Sequence, residues 1–234
     1  MFMTGQDGLC IGGLERFSRA DWPGRLVATV FTQGCGWRCR FCHKPQLIPF
    51  RSGPPAETDW TWSSVLAWLR DQRGVLDGVV FSGGEPTLQP GLAAAMGQVR
   101  ELGFRIGLHT GGPLPAVLAK LLPLVDWVGF DFKAPFGDYA RMTGRFGGEA
   151  ARASLRLLRT AGVESEVRSL WHPALLSEED LGAMADALVD AGCPRWVLQS
   201  FRPEGCPDPG LRDQPVGAPP TERVARPGLE VCVR

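Results

Sequence analysis

Seven cysteines stand at positions 10, 35, 39, 42, 193, 206 and 232, and only Cys35, Cys39 and Cys42 lie close together. Their C-x3-C-x2-C spacing falls in the segment Thr32-Gln33-Gly34-Cys35-Gly36-Trp37-Arg38-Cys39-Arg40-Phe41-Cys42-His43. A loop this tight can wrap three thiolates around one metal centre, and its glycines permit turns that a side chain would obstruct. Three readings compete. Purely structural cysteines suit an Arg-containing, Gly-rich loop poorly, because lone buried cysteines favour apolar surroundings. A structural zinc on Cys35, Cys39, Cys42 and His43 has an accepted ligand set, although zinc ligands usually arrive as two separated pairs. An iron–sulfur cluster on three thiolates leaves one iron of a four-iron cube open to bind and reduce a substrate.

A second candidate is Ser82-Gly83-Gly84-Glu85-Pro86. A Gly-Gly pair after a strand is by itself only a turn. The same pair lets backbone carbonyls come close to a ligand, which suits a cationic amino group, and Glu85 adds an acceptor. Asp131 and Lys133 flank Phe132 and share one face of a strand, either as a site pair or as a plain ion pair. Arg168 and His172 fall near another strand end, where His172 before Pro173 also suits a simple turn. His109 reads either as a ligand contact or as a satisfied core histidine. Cys10, Cys193, Cys206 and Cys232 have no mutual short spacing.

Short β-branched runs alternate with segments of helical period. Strands are expected at 26–32, 78–82, 104–110, 126–132, 164–170 and 196–200. Helices are expected around 62–73, 90–102, 115–122 and 149–161, and from the Ser177 cap to about 191. Ser177 with Asp180 three residues on forms a capping-box pattern. Six β-then-α units imply a parallel sheet with right-handed crossovers, either an open doubly wound sheet or a partial barrel. In both, functional groups gather in the loops after the strands, which is where the two glycine-bearing segments lie. A Pro-rich stretch leads to Asp59. The organisation expected is a core over 1–201 and a largely irregular Pro/Gly-rich tail over 202–234, with 229–233 as an edge strand.

The chain has 234 residues, 44% of them apolar, enough to bury a substantial core. Lys+Arg and Asp+Glu both number 25, so the net charge is zero and no global field attracts nucleic acid or an anionic membrane. No apolar run reaches the roughly 18 residues of a membrane helix, and MFMTGQDGLC lacks the order of a signal peptide. A cytoplasmic protein is expected, where clustered cysteines point to metal or catalysis rather than disulfides.

The cysteine motif with Phe41 before its third cysteine, followed by Gly83-Gly84-Glu85-Pro86 at the next strand end, resembles the radical S-adenosylmethionine enzymes. Phe17-Ser18, Asp21-Trp22-Pro23-Gly24, Cys42-His43-Lys44-Pro45, Leu108-His109-Thr110-Gly111, Asp131-Phe132-Lys133-Ala134-Pro135 and Trp171-His172-Pro173 narrow the likeness. Over about residues 10–202 they resemble the activating proteins of anaerobic ribonucleoside-triphosphate reductase, within the wider glycyl-radical activases. His109-Thr110-Gly111-Gly112 departs from the Asp and Asn of the pyruvate formate-lyase activases, and with it from their monovalent-cation site. Lys44 stands where many relatives have Asn.

The resemblance implies a partial (β/α)6 barrel, one 4Fe–4S cluster on Cys35, Cys39 and Cys42, and S-adenosylmethionine on its open iron. One electron cleaves the carbon–sulfur bond, giving methionine and a 5′-deoxyadenosyl radical that takes a hydrogen from a glycine of the partner enzyme. Phe41 and His43 then border the adenine, and Gly83, Gly84 and Glu85 hold the methionyl amino group. Asp131, Lys133, Arg168, His109 and His172 meet the carboxylate, the ribose or the incoming glycyl loop. The implied partners are the reductase and a low-potential electron donor such as flavodoxin or ferredoxin. Alternatives are an activase of another glycyl-radical enzyme, a small-molecule radical enzyme, or a zinc-stabilised binding module.

Overall fold

A computed structural model describes residues 8–50 and 60–234; most of the Pro-rich stretch before Trp60 lies outside the described residues. The fold is α/β with a mostly parallel sheet, and its strand order follows the chain from β1 to β8. The chain divides into two compact units. The first comprises the described residues of 1–36, 46–110 and 116–129, and the second residues 37–45, 111–115 and 130–234.

In the first unit, β2 (Val27–Thr32), β3 (Gly78–Gly83) and β4 (Arg105–Thr110) are parallel. Val27, Ala28, Val30, Val79, Val80, Phe81, Ile106 and Leu108 have no exposed surface. Such uninterrupted apolar runs are the signature of strands covered on both faces. α1 (Trp62–Asp71) follows β2 and starts at a capping box in which Thr61 and Ser64 each bond the other's backbone N–H. α2 (Leu92–Glu101) follows β3, and α3 (Pro115–Leu121) follows β4.

One strand was not expected. β1 (Ile11–Ser18) pairs antiparallel with β2. Gly12, Gly13 and the exposed Glu15-Arg16-Phe17 run dilute its apolar alternation, and tertiary pairing overrides that weak local signal. It also gives Cys10 a structural place: its carbonyl accepts from Gln33 N–H at 2.9 Å and its N–H donates to Gln89 Oε1 at 2.9 Å.

β5 (Trp127–Asp131) begins in the first unit and ends in the second. Asp126 fixes its start, with its N–H on the Ile106 carbonyl at 2.8 Å and its carboxylate on Ile106 N–H at 2.7 Å. In the second unit β6 (Glu164–Trp171), β7 (Arg195–Ser200) and β8 (Glu230–Val233) are parallel. α4 (Tyr139–Thr143) and α5 (Gly148–Ala161) precede β6, and α6 (Glu178–Asp190) precedes β7. The Ser177–Asp180 box at the start of α6 forms in both directions, at 2.9 and 3.0 Å. The tail is mostly irregular but adds two one-turn helices, α7 (Pro209–Arg212) and α8 (Thr221–Val224), before β8.

Candidate functional site

The register of β2 on β3 ends with Thr32 opposite Gly83, so the segments that follow the two strands leave the sheet level with each other. Gly84 N–H donates to the Thr32 carbonyl and Glu85 N–H to the Gly34 carbonyl, both at 2.9 Å. Gly34 and Cys35 in turn donate to Leu47 and Ile48 carbonyls at 2.8 and 3.0 Å. The approach demands glycine. A Cβ on Gly84 would stand 2.2 Å from the Gly34 carbonyl oxygen, and one on Gly83, at φ +109, would stand 2.4 Å from Thr32 N. The Gly-Gly pair therefore holds the first cysteine's segment by direct backbone contact. Gln33 secures it from beneath, its Nε2 reaching the Gln46 and Pro49 carbonyls at 3.0 and 2.7 Å.

Glu85, expected as an acceptor for a ligand amino group, is buried, and its Oε1 accepts from Thr87 N, Thr87 Oγ1 and Thr110 Oγ1 at 3.1, 2.6 and 2.7 Å. That oxygen caps the Pro86–Leu88 turn and ties it to the end of β4. His109 is also buried: Nε2 lies 2.7 Å from the Asp21 carbonyl and Nδ1 3.1 Å from Ser82 Oγ. The pairing fits an Nε2–H donor and an Nδ1 acceptor. Asp21 accepts from Thr29 Oγ1 at 2.7 Å, and Trp22 stacks on Trp127 at 5.5 Å. The Asp21-Trp22 pair thus buttresses β2, β4 and β5 within the first unit.

The second unit carries Cys39, Cys42 and the charged side chains. Cys42 N–H donates to the Cys39 carbonyl at 3.2 Å, a turn that sets the spacing of the two cysteines, and Arg38 N–H donates to Thr143 O at 2.7 Å. β5 runs beside β6, with Phe132 N–H on the Arg168 carbonyl at 2.8 Å. Arg168 and Asp131 are thereby side by side, with Arg168 Nη2 2.7 Å from Asp131 Oδ1. Lys133 Nζ lies 3.5 Å from Asp131 Oδ2, 5.5 Å from the centroid of Trp37 and 5.8 Å from that of Phe41. Both rings face a cation. Burial pushes the Cys42 thiol up, while Lys133 pulls it back toward thiolate.

His43 is half-buried, and burial lowers its pKa. The neighbouring Glu204 and Arg202 backbone opposes that fall, and the buried Nδ1 has no hydrogen-bond partner. His172 has no exposed surface; Nε2 lies 3.1 Å from the Leu211 carbonyl and Nδ1 accepts from Ala174 N–H at 3.1 Å. Expected at a ribose, it instead spends both nitrogens on backbone, holding the turn after β6 and the start of the tail. Trp37 and Tyr139 carried no assigned role in the sequence. Tyr139 is buried, accepts from Lys133 N–H at 3.4 Å, and meets Trp37 edge-on at 6.0 Å. Burial raises its hydroxyl pKa, so it stays protonated.

A profile of the radical S-adenosylmethionine (radical SAM) superfamily matches residues 29–188. The chain is 27% identical over 215 residues to a candidate glycyl-radical enzyme activating enzyme of Methanocaldococcus jannaschii, covering 88% of this chain and 85% of that protein. It is 30% identical over 183 residues to the pyruvate formate-lyase-activating enzyme of Clostridium pasteurianum, covering 76% and 75%. A 7-carboxy-7-deazaguanine synthase of Thermococcus kodakarensis is 36% identical over 164 residues, covering 61% and 62%. Among solved structures, Streptococcus suis SuiB bound to S-adenosylmethionine shares the fold, with a TM-score of 0.62 at 14% identity over 86% of this chain and 48% of that one.

The superfamily works with a 4Fe–4S cluster and S-adenosylmethionine. Among the described residues no three Cys, His, Asp or Glu side chains stand as a ready-made metal group, so the fit rests on donor chemistry. That chemistry agrees: three soft thiols in one short loop, a lysine that favours the thiolate of Cys42, and an unpartnered buried acceptor on His43.

Proposed function

The chain belongs to the radical SAM superfamily, and on that premise we propose that it is a cytoplasmic oxidoreductase that installs a glycyl radical on anaerobic ribonucleoside-triphosphate reductase. Bound together, the cluster and S-adenosylmethionine supply a 5′-deoxyadenosyl radical and methionine once an electron arrives from a low-potential donor such as flavodoxin or ferredoxin. The observation that carries activation is the likeness to two glycyl-radical activating enzymes over three quarters or more of the chain. The choice of reductase rests on the segments around Asp21, His43, His109, Asp131 and His172 quoted above.

In this reading Cys35, Cys39 and Cys42 hold the cluster. Phe41 and His43 border the adenine, where the open Nδ1 of His43 serves as an acceptor. The Gly83–Gly84 backbone leaves room for the methionyl amino group. Within the second unit, Asp131, Lys133 and Arg168 put two cations on one carboxylate, a net positive balance suited to the methionyl carboxylate. Glu85 and His109 in the first unit, and His172 in the second, each fix backbone within their own unit.

The test is electron paramagnetic resonance of the reductase after anaerobic incubation with this protein, reductant and S-adenosylmethionine. A glycine-centred doublet is expected, and its absence with an intact cluster would overturn the partner assignment. Cys39→Ala should abolish reductive cleavage; retained cleavage would sink the ligand assignment. A second reading, a radical enzyme acting on a small molecule, is favoured by the 36% identity to 7-carboxy-7-deazaguanine synthase. It requires product formation without a protein partner.

A further inference from the structure

The segment that follows β7 grips the cysteine loop at several separate points, all within the second unit. Phe201 is buried, with its ring edge-on to His172 at 4.9 Å and tilted against His43 at 6.0 Å. Gly205, at φ +76, lies so close to His43 that a Cβ would stand 2.2 Å from the His43 carbonyl oxygen. Cys206 is buried, with Sγ 3.5 Å from the Arg40 carbonyl. Asp208 Oδ2 accepts from both Nε and Nη2 of Arg40 at 2.8 Å. Its other oxygen caps Gly210 N–H at 2.9 Å. Leu211, fully buried, is held through its carbonyl by His172.

The contacts made by Phe201, Gly205, Cys206 and Asp208 with the cysteine loop fall on residues 40 and 43, the immediate neighbours of Cys39 and Cys42, while Leu211 and the other edge of Phe201 rest on His172. Residues 37–43 lie in no helix or strand, so their backbone has many conformations to lose on ordering. Contacts that remove them in advance lower the cost of arranging ligands around a metal centre. We propose that residues 201–211 are a brace that pre-arranges Cys39 and Cys42, with Gly205, Cys206 and Asp208 as positioning residues and Arg40–Asp208 as its latch. The proposal rests on the cluster assignment above and is independent of which partner is activated.

The experiment compares anaerobically reconstituted full-length protein with Asp208→Asn, Arg40→Gln and Gly205→Ala, measuring the rate of iron release to a chelator. The thermal midpoint of each cluster-free protein is measured alongside. The latch variants should release iron about two- to fivefold faster, the range of a partly exposed ion pair. Gly205→Ala should do so more strongly, and Asp208→Glu should restore much of the retention. Cluster-free thermal midpoints of the two latch variants should match the unsubstituted chain, whereas Gly205→Ala, whose Cβ meets the His43 carbonyl at φ +76, should lower its own and is judged on iron release beyond that loss. Iron release that ignores both latch variants would overturn the brace, as would a fall in cluster-free stability that fully accounts for faster release. An unsubstituted chain that binds no iron would overturn both the brace and the cluster assignment. A reductase that gains no radical would touch only the partner assignment.

Discussion

Arg168 directs both Nε and Nη2 at a single oxygen of Asp131, Oδ1, at 3.1 and 2.7 Å, while Lys133 approaches the other oxygen at 3.5 Å. The carboxylate at the end of β5 thus holds two cations, Arg168 within β6 and Lys133 two residues beyond β5. The guanidinium side chain is 8% exposed and the carboxylate 33%, so the cation depends on the carboxylate more than the reverse. Asp131→Ala should lower stability to urea by about 1–3 kcal/mol, short of the full cost of breaking a buried pair because water reaches Asp131. Arg168→Met should cost less, and affinity for S-adenosylmethionine should fall in both.

Gly84→Ala tests backbone contact against ligand contact. A Cβ 2.2 Å from the Gly34 carbonyl must move the segment that carries Cys35. Iron per chain after reconstitution should fall well below that of the unsubstituted protein while helical circular dichroism is kept. Full iron content with selectively weakened S-adenosylmethionine binding would show that the loop tolerates the methyl group and that the glycine serves the ligand.

His172→Phe keeps a ring of similar size beside Phe201 but removes both nitrogens. The Leu211 carbonyl and Ala174 N–H lose their partner, at a cost of about 1–3 kcal/mol each if water does not replace it. Limited proteolysis should then cut faster within residues 202–217, as mapped by mass spectrometry. An unchanged cleavage pattern would remove His172 from its place as the tail's anchor.

Cys193 is 3% exposed, and burial pushes its thiol up to about 11. Alkylation requires the thiolate, so at pH 8 the folded protein should modify Cys193 much more slowly than the half-buried Cys232, and equally fast once unfolded. Because the folded state keeps this proton longer, its contribution to stability is whole below the unfolded thiol's range and declines as pH climbs from about 9 toward 11. Denaturation midpoints across that interval check the sign, with Cys193→Ala flattening the slope.

The cysteine motif, the Gly-Gly-Glu-Pro segment and the alternation of strands with helices were legible in the sequence because each is local. Thiolate spacing within one loop, a period-two or 3.6 pattern and a Ser177–Asp180 cap need no distant residue to be recognised. β1 was not legible, since its glycines and exposed charges carry little strand preference until β2 supplies the pairing. The histidines were ambiguous for a related reason: a ring nitrogen can meet a ligand or a backbone carbonyl, and residue type does not distinguish them.

By itself, then, the sequence determined the donor set, the order of the strand-end loops and the α/β class, all consequences of chemistry within a few residues. Tertiary structure decided what each polar side chain is spent on. Glu85 became a cap, since Thr87 and Thr110 converge on it; His109 and His172 became backbone ties. The 201–211 segment came to lie on residues 40 and 43, its bonds to Arg40 spanning 166 and 168 residues of chain. Hydrogen-bond partners so distant along the chain are chosen by packing, and no local pattern records that choice.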